Sequence, residues 1–318
     1  MFIDVHGHLS PPGDTGGPPD LRDPEAAIAR KRELGIVLTV IGSPVGAGSM
    51  RPAPGVDNYA QSADTVRAHN EVMIGLVDRY PDALRTYAYL DPLGGPAMLE
   101  QARDLVADPR CVGLVVNTSV NGRYLDGPDA EPFFAMAAEL GVPVLLHPPA
   151  VPVGAAALGD PGLVEHVGRF GDVTAGVAAI AYAGWPARYP GLRLVAAAGG
   201  GGLALLGAKL DLAAAAGPPG RPERPGPPPS ASLARIHVDT STPGRAALAA
   251  SVAAFGADHV LFGTDAPPLM AAAEPAVRAV AALPDPDREA VAWRNAAALY
   301  GIDPAPAAAA ASRKEART

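Results

Sequence analysis

His6 and His8 stand one residue apart at the end of the apolar run FIDVHGH. Side chains alternate faces along a strand, so both imidazoles fall on one face, with Gly7 letting the backbone pass closely between them. His147 closes the run VPVLLH, and Asp265 closes VLFGTD. A lone histidine in an apolar run is ordinarily a packed core residue or a loop cap. Three imidazoles and a carboxylate at the ends of separate strands are a metal-ligand set. That set suits Zn²⁺ first, with Mn²⁺ or Fe²⁺ as alternatives.

Eight short apolar runs carry or accompany these residues: 2–6, 35–41, 85–90, 112–116, 142–147, 192–197, 235–239 and 259–265. Longer helical patterns such as NYAQSADTVRAHNEVMIGLVDRY and GRAALAASVAAF separate them. Eight strands, each followed by helical sequence, predict one α/β domain, a (β/α)₈ TIM barrel spanning 1–303. A doubly wound sheet is the alternative. Barrel enzymes place their chemistry at the C-terminal rim, where the four donors would meet. The Pro/Gly-rich stretch 215–232 reads as an extended loop, and 304–318 as a disordered tail.

The chain has 318 residues, a formal charge of −8 and a single cysteine. The acidic balance argues against a general nucleic-acid or anionic-membrane partner. Cys111 cannot form an internal disulfide and reads as a buried thiol. The N-terminus lacks the basic region and apolar core of a signal peptide, and no apolar run approaches a membrane span, so a cytoplasmic location is expected.

Further candidates lie at other strand ends. Gly199 and Gly200 open the run GGGG before a helical pattern. Their N–H groups could hold a carboxylate or oxyanion at a helix start, or the glycines could serve close strand–helix packing. Arg51 is a candidate partner for a substrate carboxylate, against the plainer reading of an exposed loop arginine. Asn117, Thr118 and Asn121 in NTSVNG could hydrogen-bond a ligand, and Asp239 could orient one or satisfy a strand end. Asp265 could double as a base by leaving the metal. His237 reads as too deep for chemistry, and His69, His166 and His259 as structural or solvated.

In order and spacing, MFIDVHGHLSPP, VVNTSVNGRYLDGP, GVPVLLHPP, GLRLVAAAGGG, HVLFGTDAPP and WRNAAALYGI together resemble the amidohydrolase-2 family. This is the branch of the amidohydrolase superfamily related to aminocarboxymuconate-semialdehyde decarboxylase. The resemblance implies that His6, His8, His147 and Asp265 bind one divalent metal, usually zinc. Two-metal members carry a carbamylated lysine at the fourth strand's end, where Asn117 stands here, so one metal is expected. It further implies a metal-dependent decarboxylase or C–C-bond hydrolase for a small carboxylated aromatic or unsaturated compound. An amide or lactone hydrolase is the alternative within the superfamily, and a homodimer is expected from the resemblance alone.

One departure stands out. Members of the family commonly read His-Gly-Gly-Gly after the sixth strand, and that histidine is their usual catalytic residue; here Ala198 takes its place. Three readings stand: a His-to-Ala exchange made to trap a ligand, an altered native chemistry using another base, and a non-catalytic ligand-binding protein on the same scaffold.

Overall fold

A computed structural model describes residues 1–10, 19–43, 46–47, 49–50, 61–216 and 227–315. The eight expected strands are present: β1 (Phe2–His8), β2 (Ile36–Gly42), β3 (Leu84–Tyr89), β4 (Cys111–Asn117), β5 (Pro143–His147), β6 (Arg193–Ala196), β7 (His237–Asp239) and β8 (Val260–Leu261). They pair in parallel in sequence order. β1 and β2 are buried along their whole length, as strands with both faces covered must be, which is why they read as unbroken apolar runs.

β8 is shorter than the run 259–265. Beyond Leu261 the ladder to β7 is taken over by a side chain: Thr240 Oγ1 donates to Gly263 O (2.9 Å) and accepts from Gly263 N (3.0 Å). The same segment turns to β1 and closes the ring. Val5 N donates to Phe262 O (2.9 Å), Asp265 N to His6 O (2.7 Å) and His8 N to Ala266 O (3.2 Å). This closure makes the fold a (β/α)₈ barrel and removes the doubly wound alternative.

Helices follow the strands with recognisable ends. Asp23 caps Pro24–Glu33 by accepting from Ala26 N, and Ser62 caps Ala63–Arg79 by accepting from Thr65 N. Gly141, in the left-handed region at φ 61°, ends Glu131–Leu140. Trp185 packs against Phe134 and donates to Leu125 O at 2.9 Å. Cys111 is buried, and burial pushes its thiol up to about 12, which leaves it without thiolate character at neutral pH.

Two segments differ from expectation. Part of the stretch 215–232 is helical, in Gly207–Ala216 and Pro229–Leu233, while 217–226 lie outside the described residues. The tail expected to be disordered forms a helix, Ala305–Glu315, and Ala307 within it is buried. A small apolar face seated on the barrel holds what composition alone would leave frayed. No helix among the described residues is long and apolar enough to cross a membrane.

Candidate metal centre

β1 brings His6 and His8 to the rim, β5 brings His147, and the segment after β8 brings Asp265. One ligand atom from each lies within 4.8 Å of all the others. His6 Nε2 is 3.2 Å from His8 Nε2, and Asp265 Oδ1 is 2.9 Å from His8 Nε2 and 3.7 Å from His6 Nε2. The three histidines are buried, whereas the Asp265 side chain keeps 27% exposure, so this ligand faces the open side.

The opposite edge of each ring is tied down. His8 Nδ1 donates to Gly42 O at 3.2 Å, and His147 Nδ1 donates to Pro148 O at 2.9 Å. A carbonyl only accepts, so both rings carry their proton on Nδ1 and present the Nε2 lone pair to the centre. His6 Nδ1 donates to Asp239 Oδ2 at 2.5 Å, the carboxylate–histidine pairing that orients a metal ligand and raises its basicity. Three histidines with oriented Nε2 atoms and one carboxylate fit a four-ligand divalent cation.

The electrostatics agree with that reading. Burial disfavours charge on His6, but Asp265 and Asp239 outweigh it and raise its pKa. Burial, then the charges of His6, Arg169 and His8, hold His147 well below its ordinary value, so it stays neutral. Burial pushes the Asp265 carboxyl up, yet His6 and His8 together outweigh it and hold the group below the usual carboxylate range. An aspartate kept ionised beside close imidazoles is a donor set that could hold a cation.

Asp239 is not free to meet a ligand. Besides His6, its Oδ1 accepts from Gly199 N (3.1 Å), Ser241 N (3.1 Å) and Ser241 Oγ (2.8 Å). This corrects its assignment to substrate binding: both oxygens are spent on holding His6 and the glycine run. The anion cradle at Gly199 and Gly200 is corrected in the same way. Gly199 N is taken by Asp239, Gly200 N donates to Ala197 O (2.9 Å) and Gly202 N to Thr174 Oγ1 (2.9 Å).

The run is not a helix start either, because Gly199, Gly200 and Gly201 all lie at positive φ, at 64°, 74° and 61°. A Cβ on Gly201 would stand 2.2 Å from Thr174 Oγ1, and one on Gly200 3.0 Å from Val238 Cγ1. Close packing explains the glycines.

Ala198 begins this left-handed stretch at φ 52°. Its N–H donates to Ser241 Oγ (3.0 Å), and its carbonyl accepts from Thr242 Oγ1 (2.8 Å). The backbone is therefore clamped in a conformation uncommon for a non-glycine residue. Ser241 and Thr242 were not singled out in the sequence, since nothing in DTST distinguishes a clamp from a polar turn.

Asn117 is buried and in register with His147 across the β4–β5 ladder. Its Oδ1 has no hydrogen-bond partner in the protein. Its neighbours have structural work: Thr118 Oγ1 and Ser119 Oγ donate to the buried Asp172 at 2.6 and 2.9 Å. Asn121 forms, with Gly122, the positive-φ turn of a short hairpin joining Ser119–Val120 to Arg123–Tyr124. His237 packs against His259, with ring centroids 4.7 Å apart, away from the ligand cluster. Arg51 lies outside the described residues.

Known proteins share this fold. The 5-carboxyvanillate decarboxylase LigW from Sphingomonas paucimobilis superposes with a TM-score of 0.81 at 20% identity, covering 95% of this chain and 99% of that one. The dihydroxybenzoic acid decarboxylase from Polaromonas sp. JS666, solved with manganese and the inhibitor 2-nitroresorcinol, gives 0.75 at 20% identity, covering 94% and 96%. At these identities the likeness is one of fold. In sequence, the decarboxylase orsB of Emericella nidulans is 29% identical over 153 residues, which is 42% of this chain and 44% of that protein. The match thus spans less than half of that relative. The amidohydrolase family profile matches residues 3–302, nearly the whole chain from the first ligand strand to the last barrel helix, and by that match the protein belongs to the amidohydrolase family.

Proposed function

We propose that this protein is a metal-dependent decarboxylase acting on a small carboxylated aromatic or unsaturated compound. The observation that carries the reading is the cluster of His6, His8, His147 and Asp265, with every histidine oriented by a bond at Nδ1. The decarboxylases named above, two of them on the same fold, supply the reaction class. Zinc is the metal we favour on donor chemistry, with manganese the rival because one such relative holds it. A homodimer and a cytoplasmic location complete the proposal.

A divalent cation bound at the cluster supplies positive charge for an anionic oxygen of the substrate. The residues do the rest. Asp239 fixes the ring of His6, and Asn117, its amide oxygen unpartnered, offers an acceptor beside His147 for a substrate hydroxyl. The bond from the conjugated carbon to the carboxylate carbon breaks, its electron pair spreads into the conjugated system, and CO₂ leaves. A proton must then be added at that carbon. Ala198 has no proton to give, and Asp265, held ionised, is a better ligand than donor. Water is left as the proton source, and turnover is therefore expected to be slow.

Replacing Ala198 with histidine tests this directly, because the backbone clamp is already in place. On 2,6-dihydroxybenzoate and 5-carboxyvanillate, Ala198→His should raise the rate of CO₂ release by about 10²–10⁴-fold, the usual worth of a positioned proton-transfer group. If the native chain and the variant both bind either compound and neither releases CO₂, the decarboxylase reading fails. The non-catalytic scaffold, which Ala198 itself favours, would then lead; hydrolysis of a C–C, amide or lactone bond is read from the same assay as product without CO₂.

A further inference from the structure

Beneath the ligand cluster lies a second, buried polar group that the reaction chemistry does not use. Asp4, two residues before His6, is fully buried, and its carboxylate accepts from four donors. Oδ1 takes His6 N and Thr264 N, each at 3.0 Å; Oδ2 takes Thr264 Oγ1 at 2.6 Å and Lys31 Nζ at 2.7 Å. Lys31 comes from the helix Pro24–Glu33, and its side chain is only 6% exposed. It also donates to Thr39 Oγ1 of β2 at 3.4 Å.

These bonds bracket a metal ligand. Thr264 is held through both its N–H and its hydroxyl, Asp265 N donates to His6 O (2.7 Å), and Ala266 N returns to Thr264 Oγ1 (3.2 Å). Three successive N–H groups around Asp265 are therefore pinned to β1 or to the hydroxyl that Asp4 anchors. The residue they bracket sits in the left-handed region at φ 56°, a conformation that needs such over-determination. Gly7 belongs to the same arrangement. A Cβ between the two histidines would stand 2.3 Å from Thr39 Cγ2 and 2.8 Å from Lys31 Nζ, so glycine there is the condition for Lys31 to reach Asp4.

We infer that Lys31, Asp4 and Thr264 are positioning residues that set the spacing between Asp265 and the histidines of β1, and thereby the affinity of the centre for its cation. Lys31 neutralises a carboxylate that would otherwise be buried alone, and Asp4 carries the geometry across the seam where the barrel closes. The inference rests on the reading of the cluster as a metal centre.

The test separates hydroxyl from volume at one position. The full chain and its Thr264→Ser, Thr264→Val and Lys31→Met variants are stripped with chelator and checked for folding by their thermal midpoints. Zn²⁺ and Mn²⁺ are then titrated in competition with a chromophoric chelator. Thr264→Val keeps the shape and loses the hydroxyl that ties Asp4 to Ala266 N on either side of Asp265, and should weaken binding by about 10-fold, the lower end of the range for groups that orient a metal ligand. Thr264→Ser keeps the hydroxyl and should remain within about threefold of wild type, by the same reasoning. Lys31→Met should weaken binding as Thr264→Val does.

Wild-type affinity in Thr264→Val, or equal losses in the serine and valine variants, would overturn the inference while leaving the metal centre standing. A wild-type chain that takes up neither ion would remove the metal reading, and this inference with it. Should Lys31→Met fail to fold, the Thr264 pair decides alone.

Discussion

The substitution Asp239→Asn isolates one physical question, the proton on His6. Asp239 Oδ1 accepts from three donors, Gly199 N, Ser241 N and Ser241 Oγ, and Oδ2 accepts from His6 Nδ1. An asparagine matches the carboxylate in shape and can satisfy only one side with oxygen. Two of the three donors on the Oδ1 side are backbone N–H groups that cannot reverse, so the amide oxygen stays there and the NH₂ faces His6. Two N–H groups cannot share a bond, so His6 moves its proton to Nε2, the atom needed for the metal.

The loss has two parts. A tautomer unable to ligate, together with the missing carboxylate, should weaken metal binding by about 10–100-fold, or roughly 1.4–2.8 kcal/mol. Losing a charged hydrogen bond at a buried site should lower folding stability by about 1.5–3 kcal/mol. Competition with a chromophoric chelator measures the first part, and denaturant unfolding of the metal-free proteins the second. If Asp239→Asn bound metal within twofold of wild type, the claim that His6 is oriented through Asp239 would be wrong, however stable the variant.

Two further outcomes follow from other parts of the molecule. Burial, and then His259, push His237 down to about 4, from an ordinary value of 6.5. The unfolded chain therefore binds a proton that the folded chain refuses, and stability falls as pH drops from about 6.5 to about 4. The contribution reaches about 3 kcal/mol at most. In His237→Gln the difference in unfolding free energy between pH 7 and pH 4.5 should shrink by about 2 kcal/mol; an unchanged difference would refute the assignment.

Gly201→Ala should destabilise by about 3 kcal/mol or more, since it combines a positive φ with a Cβ driven against Thr174 Oγ1 and Phe170 O. Chemical denaturation would show it, and a loss below about 1 kcal/mol would mean that the run can shift as a body.

Much of the centre was legible in the sequence. His6, His8, His147 and Asp265 each end an apolar run, and strand alternation together with the rim rule of barrels places such residues at one end of one cavity. Those are local signals, carried within a few residues of each donor. For Asp239 and the glycine run the sequence left ligand binding and local packing both open, because the partners that decide between them are remote. His6 and Asp239 are 233 residues apart, and nothing near either announces the other. Asn121 carried a local signal, the Asn-Gly pair of a tight hairpin, that was passed over in favour of ligand binding. The tail was misread for a different reason: alanine-rich sequence has helix propensity, but whether it docks depends on the surface it meets.

By itself, then, the sequence determined the eight-strand alternation, the four donor residues that the fold brings together and the absence of a histidine at position 198. Periodicity and residue type are properties of short stretches, and they survive without knowledge of packing. Only the tertiary structure decided which carboxylate orients a ligand and which nitrogens are free. Asp4 and Thr264 lie 260 residues apart and meet where the barrel closes. A ring of strands brings its first and last members together, so contacts across that seam are set by closure of the whole fold, not by either end alone.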